Sequence, residues 1–253
     1  MIEPTVNAIE RYREVLLNSE LRELRVTYCR TVSTAMASVS SWLGMDSFLG
    51  GGDFDDSRTN GNHDRDPDRH SGFRAVAAVV EMASELAGGS VVLLDGGFRY
   101  ASTGLIRQLI ETEYLLAAFA VDFSKATSWA RATPEEIRQS FSPAKMRVIG
   151  GFSNKEYWRH CDVGGHPAPS GRVLLKHNMA TDVSEDEFLS ASVWGDLAQH
   201  LRRLWGAIDR LLCDQHPRYE RVRNRERESV DQISEICLRI DPLATSADFP
   251  VLG

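Results

Sequence analysis

The sequence predicts an all-α protein, on three observations. Apolar residues recur at three- and four-residue spacing through most of the chain, helix-capping signals punctuate those stretches, and strand-like alternation is weak throughout. With 253 residues and 42% hydrophobic content, the chain has enough material for one large core or two small ones. No internal repeat is evident, so a helical bundle is the expected architecture.

From residue 6 to 42, Ile9, Tyr12, Val15 and Leu16, then Leu21, Leu24, Val26 and Tyr28, fall at helical spacing, with Asn18-Ser19 as a break. This predicts one kinked helix or two, forming an N-terminal unit over residues 1–43 that packs on the bundle. Residues 44–72 change to Gly, Asp, Asn, Arg and His with hardly any aliphatics, which predicts an acidic flexible loop. Within it, Asp64 to His70 superficially resembles a calcium loop, but the sixth position is Arg69 instead of glycine and the twelfth is Ala75 instead of a bidentate glutamate. His63 and His70 therefore read as linker histidines.

A core of residues 73–213 is expected to follow. It begins with an apolar helix from Phe73 to Leu86, ended by Gly88-Gly89, and a short apolar piece from Val91 to Leu94. Next comes a helix from Ala101 to Val121 that is apolar nearly all round. Arg107, Glu111 and Tyr114 share its remaining narrow stripe, while Glu113 projects from the middle of the apolar face. A lone buried charge costs several kcal/mol, so partners are expected: Glu111 or a neighbouring helix for Arg107, and Arg159 or a histidine for Glu113. Such a pair either fixes helix register or marks a site.

Short capped helices come next. Thr133-Pro134-Glu135-Glu136 is a strong helix start, Ser142-Pro143 opens another turn, and Ser153 with Glu156 reads as a capping box for a helix from Asn154. Gly164-Gly165 is expected to close that helix, and Pro167 pushes His166 into an extended conformation. Ser184 and Glu187 cap a long helix over 185–213, whose stripe of Phe188, Trp194, Leu197, Leu201, Leu204, Trp205 and Ile208 has core or partner-face spacing. His216-Pro217 breaks it, and residues 214–253 form a polar helix to about Arg239 and a tail.

Composition excludes several function classes. A net charge of −7 argues against a general polyanion-binding surface, although arginines outnumber acids between His200 and Arg227. That basic run reads as a solvated helix face. Cys29, Cys161, Cys213 and Cys237 lie far apart with no metal spacing, so they read as reduced structural thiols, and neither a metal nor a cofactor is expected. Phosphate-loop, dinucleotide, GxSxG and HExxH patterns do not occur. No secretory leader or uninterrupted bilayer-length apolar run is evident, so no membrane association and a cytoplasmic location are expected.

The stretch from Asn154 to Gly171 gathers Arg159, His160 and His166 around a sharp helix stop. An arginine and a histidine converging beside a helix end suit an anion that gains charge during reaction; the same residues also make an ordinary salt bridge and a cap. Arg107-x-x-x-Glu111 on an apolar helix, followed by Arg159-x6-His166-Pro167, resembles the HEPN superfamily of helical bundles, with His160 as the polar residue after the arginine. The resemblance covers about Phe73 to Leu212. It implies a metal-independent endoribonuclease acting as a homodimer, of the toxin or phage-defence kind, with RNA as substrate and an antitoxin or regulatory protein as partner. It further implies Arg159 and His166 at the phosphate, His160 as an auxiliary, and Glu111 with Arg107 in orientation. The alternative is a bundle of the same shape that binds a nucleotide, RNA or a protein without cutting, or one in which these residues form a satisfied packing network.

Overall fold

A computed structural model describes residues 6–48, 67–165, 167, 169–175, 183–216, 219 and 224–244. Among them every regular element is helical, as the sequence predicts. Four long helices close into a ring: α2 (Ser19–Phe48) packs on α3 (Pro67–Asp95), α3 on α4 (Arg99–Val121), α4 on α9 (Val183–Gln215), and α9 back on α2. Helix α1 (Val6–Leu17), which breaks from α2 at Asn18, lies on α9, and α10 (Asn224–Ile240) lies on α2.

Each long helix contributes an apolar stripe to one core. In α2 it runs through Tyr28, Val32, Met36, Val39 and Leu43; in α3 through Val76, Val80, Ala83, Ala87, Val91 and Leu94, all buried at three- to four-residue intervals. On α9 the stripe includes Trp194 and Trp205, both buried in that core. The tryptophan face is thus internal to the bundle, and it provides no surface for a homodimer.

The helix expected to stop at Gly88-Gly89 instead runs through both glycines to Asp95. Each glycine costs a helix interior about 1 kcal/mol, but packing outweighs it: a Cβ on Gly89 would stand 3.0 Å from Leu105 of α4. The missing side chain lets α4 approach closely. The real stop is at Gly97, in the left-handed region at φ 78°, where the Phe98 and Gly97 amides donate to the Leu93 and Leu94 carbonyls. The expected loop 44–72 is also shorter, because α2 continues to Phe48 and α3 starts at Pro67. His63 and Asp64 lie outside the described residues; His70 belongs to α3.

Helix α3 is long and apolar enough to cross a membrane by length and composition, although its valine stripe is buried against the other helices. A buried ion pair fastens the segment just after α10 to the ring. Arg25 Nε and Nη2 donate to Asp241 Oδ2 and Oδ1 at 2.7 and 2.8 Å, with both side chains 3% exposed or less.

Small helices cover the outer side of the ring: α5 (Ser124–Arg131), α6 (Pro134–Ser140), α7 (Pro143–Ile149) and α8 (Asn154–His160). The Thr133–Glu136 capping box forms as expected. After α8 the chain makes one π turn (Cys161–Gly165) and, further on, a 3₁₀ turn (Pro169–Leu174). The π turn lies hard against α4: a Cβ on Gly164 would come within 2.4 Å of Thr103 Cγ2. Only glycine fits there, and this contact sets how closely α8 approaches the bundle.

Candidate site: a buried charged cluster behind an open rim

Helices α4 and α8 build a rim that is open to solvent. Arg107 Nη2 pairs with Glu111 Oε1 at 3.0 Å one turn along α4, both side chains keeping partial exposure. From α8, the Tyr157 hydroxyl donates to Glu111 Oε1 and accepts from Arg107 Nη2, each at 3.2 Å, while Arg107 Nε reaches Cys161 Sγ at 3.4 Å. Burial pushes the Tyr157 phenol above its ordinary value, with the Arg107 hydrogen bond opposing and the Glu111 charge reinforcing the shift. Beside the rim lies a groove of about 760 Å³. Val79, Met82, Leu105, Ile137 and Phe141 line its apolar part, and Arg107, Gln108 and Glu111 contribute polar groups.

Behind the rim, in the interior, six charged or titratable side chains meet. Glu113 comes from α4, Glu156 and His160 from α8, and Asp196, His200 and Arg203 from α9. His160 Nε2 lies 2.9 Å from Asp196 Oδ2, and its Nδ1 lies 2.8 Å from the Glu156 carbonyl oxygen. His200 Nδ1 lies 2.8 Å from Glu113 Oε2. Arg203 ties the two glutamates together, with Nε 2.8 Å from Glu113 Oε1 and Nη2 2.5 Å from Glu156 Oε1.

The cluster perturbs its own members. Burial works against charge on His160, but Asp196 at hydrogen-bonding distance raises its pKa above the ordinary histidine value. Burial likewise opposes ionisation of Asp196, yet the His160 charge and hydrogen bond hold its carboxyl well below the usual carboxylate range. Glu156, drawn the same way against its burial by Arg203, also sits low.

The residues singled out from the sequence divide between these two places. Arg107 and Glu111 pair at the rim, and Glu113 finds a histidine as expected, namely His200. Arg159 is half-buried beside the cluster, and its charge is felt by His160 and Asp196. His160 points inward at 2% exposure, into the interior cluster and away from the rim. His166 lies outside the described residues. Ser153 caps α8 by accepting from the Lys155 amide, and Glu156, expected to complete a capping box, turns inward to Arg203 instead.

Sequence reasoning missed Asp196, His200, Arg203 and Tyr157. The available signal was a pair of i,i+4 motifs, Glu156-x-x-x-His160 and Asp196-x-x-x-His200, each of which places two polar groups on one helix face. On α9 the pair hides inside the tryptophan and leucine stripe. Arg203 lies in a run of arginines that reads as solvated; its side chain is only 30% exposed.

Fold and site together define an all-α bundle with a polar interior cluster behind an arginine-containing rim. Comparison with known proteins finds no family model, no curated relative and no solved structure that matches the chain.

Proposed function

We propose that the chain is a HEPN-type endoribonuclease that engages RNA at the rim formed by Arg107, Glu111, Tyr157 and the end of α8. The supporting observation is the Tyr157 hydroxyl, which joins the Arg107–Glu111 pair to the helix carrying Arg159. Tyr157 lies two residues before Arg159 on α8, so its contact with Arg107 supports reading the Arg107–Glu111 pair together with that helix. The chemistry suits such a rim. RNA carries its own nucleophile in the 2′-hydroxyl, so the protein has only to move protons and stabilise charge building on phosphorus. Arg159 and Arg107 supply permanent positive charge, His166 moves the proton, and Glu111 with Tyr157 holds Arg107 in place. No metal takes part in this step. A cytoplasmic toxin or defence role, a homodimer and a cognate antitoxin or regulator belong to the same proposal.

The groove favours a second reading. Apolar walls next to Arg107, Gln108 and Glu111 suit a flat base next to a charged group, as in a module that binds a nucleotide without cutting RNA. Induced expression of wild type beside an Arg159→Ala/His166→Ala double variant, with total RNA run on a gel, separates the two. RNA breakage lost in a still-folded variant supports cleavage. Intact RNA in both, with a nucleotide raising the melting temperature of the purified protein, supports the binding module.

A further inference from the structure

The two interior histidines leave donors and acceptors out of balance. Nδ1 of His160 faces the Glu156 carbonyl and Nδ1 of His200 faces the Glu113 carboxylate, each at 2.8 Å. Both oxygens can only accept, so both Nδ1 atoms carry hydrogen and both rings turn Nε2 toward the centre. Arg203 Nη2 also comes within 2.8 Å of His200 Nδ1, but it has Glu156 Oε1 at 2.5 Å as its acceptor. The inward Nε2 atoms stand 3.4 Å apart, and Asp196 places Oδ2 2.9 Å from one and Oδ1 3.7 Å from the other. One proton on His160 Nε2 satisfies Oδ2. It leaves the His200 Nε2 lone pair and Asp196 Oδ1 facing the same buried space, and Oδ1 has no hydrogen-bond partner among the described residues. A buried acceptor without a donor is unfavourable, and a cation at that point relieves both.

We propose that His160, Asp196 and His200 ligate a divalent transition-metal ion, zinc by preference, in a closed structural site, the ion displacing the His160 Nε2 proton to solvent as it binds. The donor set of two imidazoles and a carboxylate is the borderline kind that zinc takes. Two nitrogens each about 2.0–2.1 Å from a tetrahedral ion lie about 3.3–3.4 Å apart, which is the spacing of the two Nε2 atoms. The three ligand atoms lie within 4.8 Å of one another. Each histidine has its outer nitrogen anchored by an oxygen acceptor, an arrangement that orients imidazoles for a metal and raises their basicity. Glu156 Oε1, 3.9 Å from His200 Nε2, is in reach as a fourth ligand once it leaves Arg203.

The ion has a structural task here. Helix α8 is only seven residues long, too short to be stable by itself, and it carries Tyr157 and Arg159. An ion held by His160 of α8 and by Asp196 and His200 of α9 fastens that helix to the bundle. The site is closed to solvent, so RNA chemistry at the rim does not pass through it. No CxxC-like signature announces it: Asp196 and His200 are four positions apart on α9, and His160 lies 36 and 40 positions before them.

The test uses the full chain produced in zinc-supplemented medium, desalted and analysed for metal, with its melting temperature measured before and after chelation. Expected results are about one zinc per chain, a lower melting temperature after chelation that zinc alone restores, and a visible cobalt spectrum of tetrahedral type when cobalt replaces zinc. Asp196→Asn and His200→Gln, checked for helicity, lower affinity by about tenfold or more. A metal-free wild-type chain whose melting temperature ignores both chelator and zinc overturns the proposal. So does an ion retained undiminished in folded variants, which places it elsewhere. If the variants fail to fold, the wild-type chelation measurements decide.

Discussion

Glu113 and His200 lie 2.8 Å apart with side chains that are 1% and 0% exposed, one in the middle of α4 and the other in the middle of α9. A carboxylate on an apolar helix face needs a partner, and here the partner arrives from the facing helix. Glu113→Ala removes one member of a buried charged set and strands the other, so it is expected to cost about 3–5 kcal/mol in urea unfolding followed by circular dichroism. Glu111→Ala breaks a partly exposed pair only two positions away and is expected to cost about 1 kcal/mol or less. Equal costs for the two would mean that the interior cluster contributes no more than the rim.

Tyr157→Phe deletes a single hydroxyl. Its two hydrogen bonds are part-buried, so stability should fall by about 0.5–1.5 kcal/mol. If the rim is the working edge, RNA cleavage should fall far more than that, because Arg107 loses its brace. Cleavage unchanged in the folded variant removes Tyr157 from the site.

Asp241→Ala tests the clamp between the last helix and α2. It leaves the Arg25 guanidinium buried and uncompensated, with an expected loss of about 3–5 kcal/mol. A loss below 1 kcal/mol, on the scale of exposed ion pairs, would show that water or another carboxylate replaces Asp241.

Between α2 and α10, burial raises the Cys237 thiol from 9.0 to about 11, and burial also raises Cys29 and the Tyr28 phenol. The folded state therefore holds these protons more tightly than the unfolded chain. For Cys237 the contribution is complete below about pH 9 and is lost as pH climbs through 11, while Cys29 and Tyr28 hold their protons to higher pH still. Denaturant midpoints should fall between pH 9 and pH 11, and Cys237→Ala should flatten that fall. A midpoint constant over this interval contradicts the assignment.

Gly164→Ala puts a methyl group into Thr103, where the nearest atom stands at 2.4 Å. Overpacking of this kind costs about 1–3 kcal/mol. It should also displace the π turn and loosen α8, read as faster quenching of the half-exposed Trp158 fluorescence. Wild-type stability in this variant would mean that α4 and the turn can part without penalty.

Much of the bundle was legible in the sequence because helix existence follows from periodicity. The Asn18 break, the Thr133 cap, the long 183–215 helix and the inward Glu113 all carry local signals. Helix ends were harder. Gly88-Gly89 looks like a terminator in one dimension, and only the approach of Leu105 in three dimensions reveals it as a packing device. The interior cluster was half legible. Glu113 stands out as a charge among leucines, whereas Asp196 and His200 sit in a stripe whose tryptophans dominate the pattern. Arg107 and Glu111 could be paired from spacing alone, but no spacing rule links them to Tyr157.

The separation of 87 residues between Glu113 and His200 has a consequence for the protein as it is made. A ribosome adding about 5–20 residues per second emits α4 some 4–17 s before the histidine that receives its glutamate. Throughout that interval the nascent chain shows an apolar helix with an unmatched carboxylate at its centre. That charge acts as a temporary solubilising group on a surface that would otherwise be adhesive, until α9 emerges and the ring closes around it.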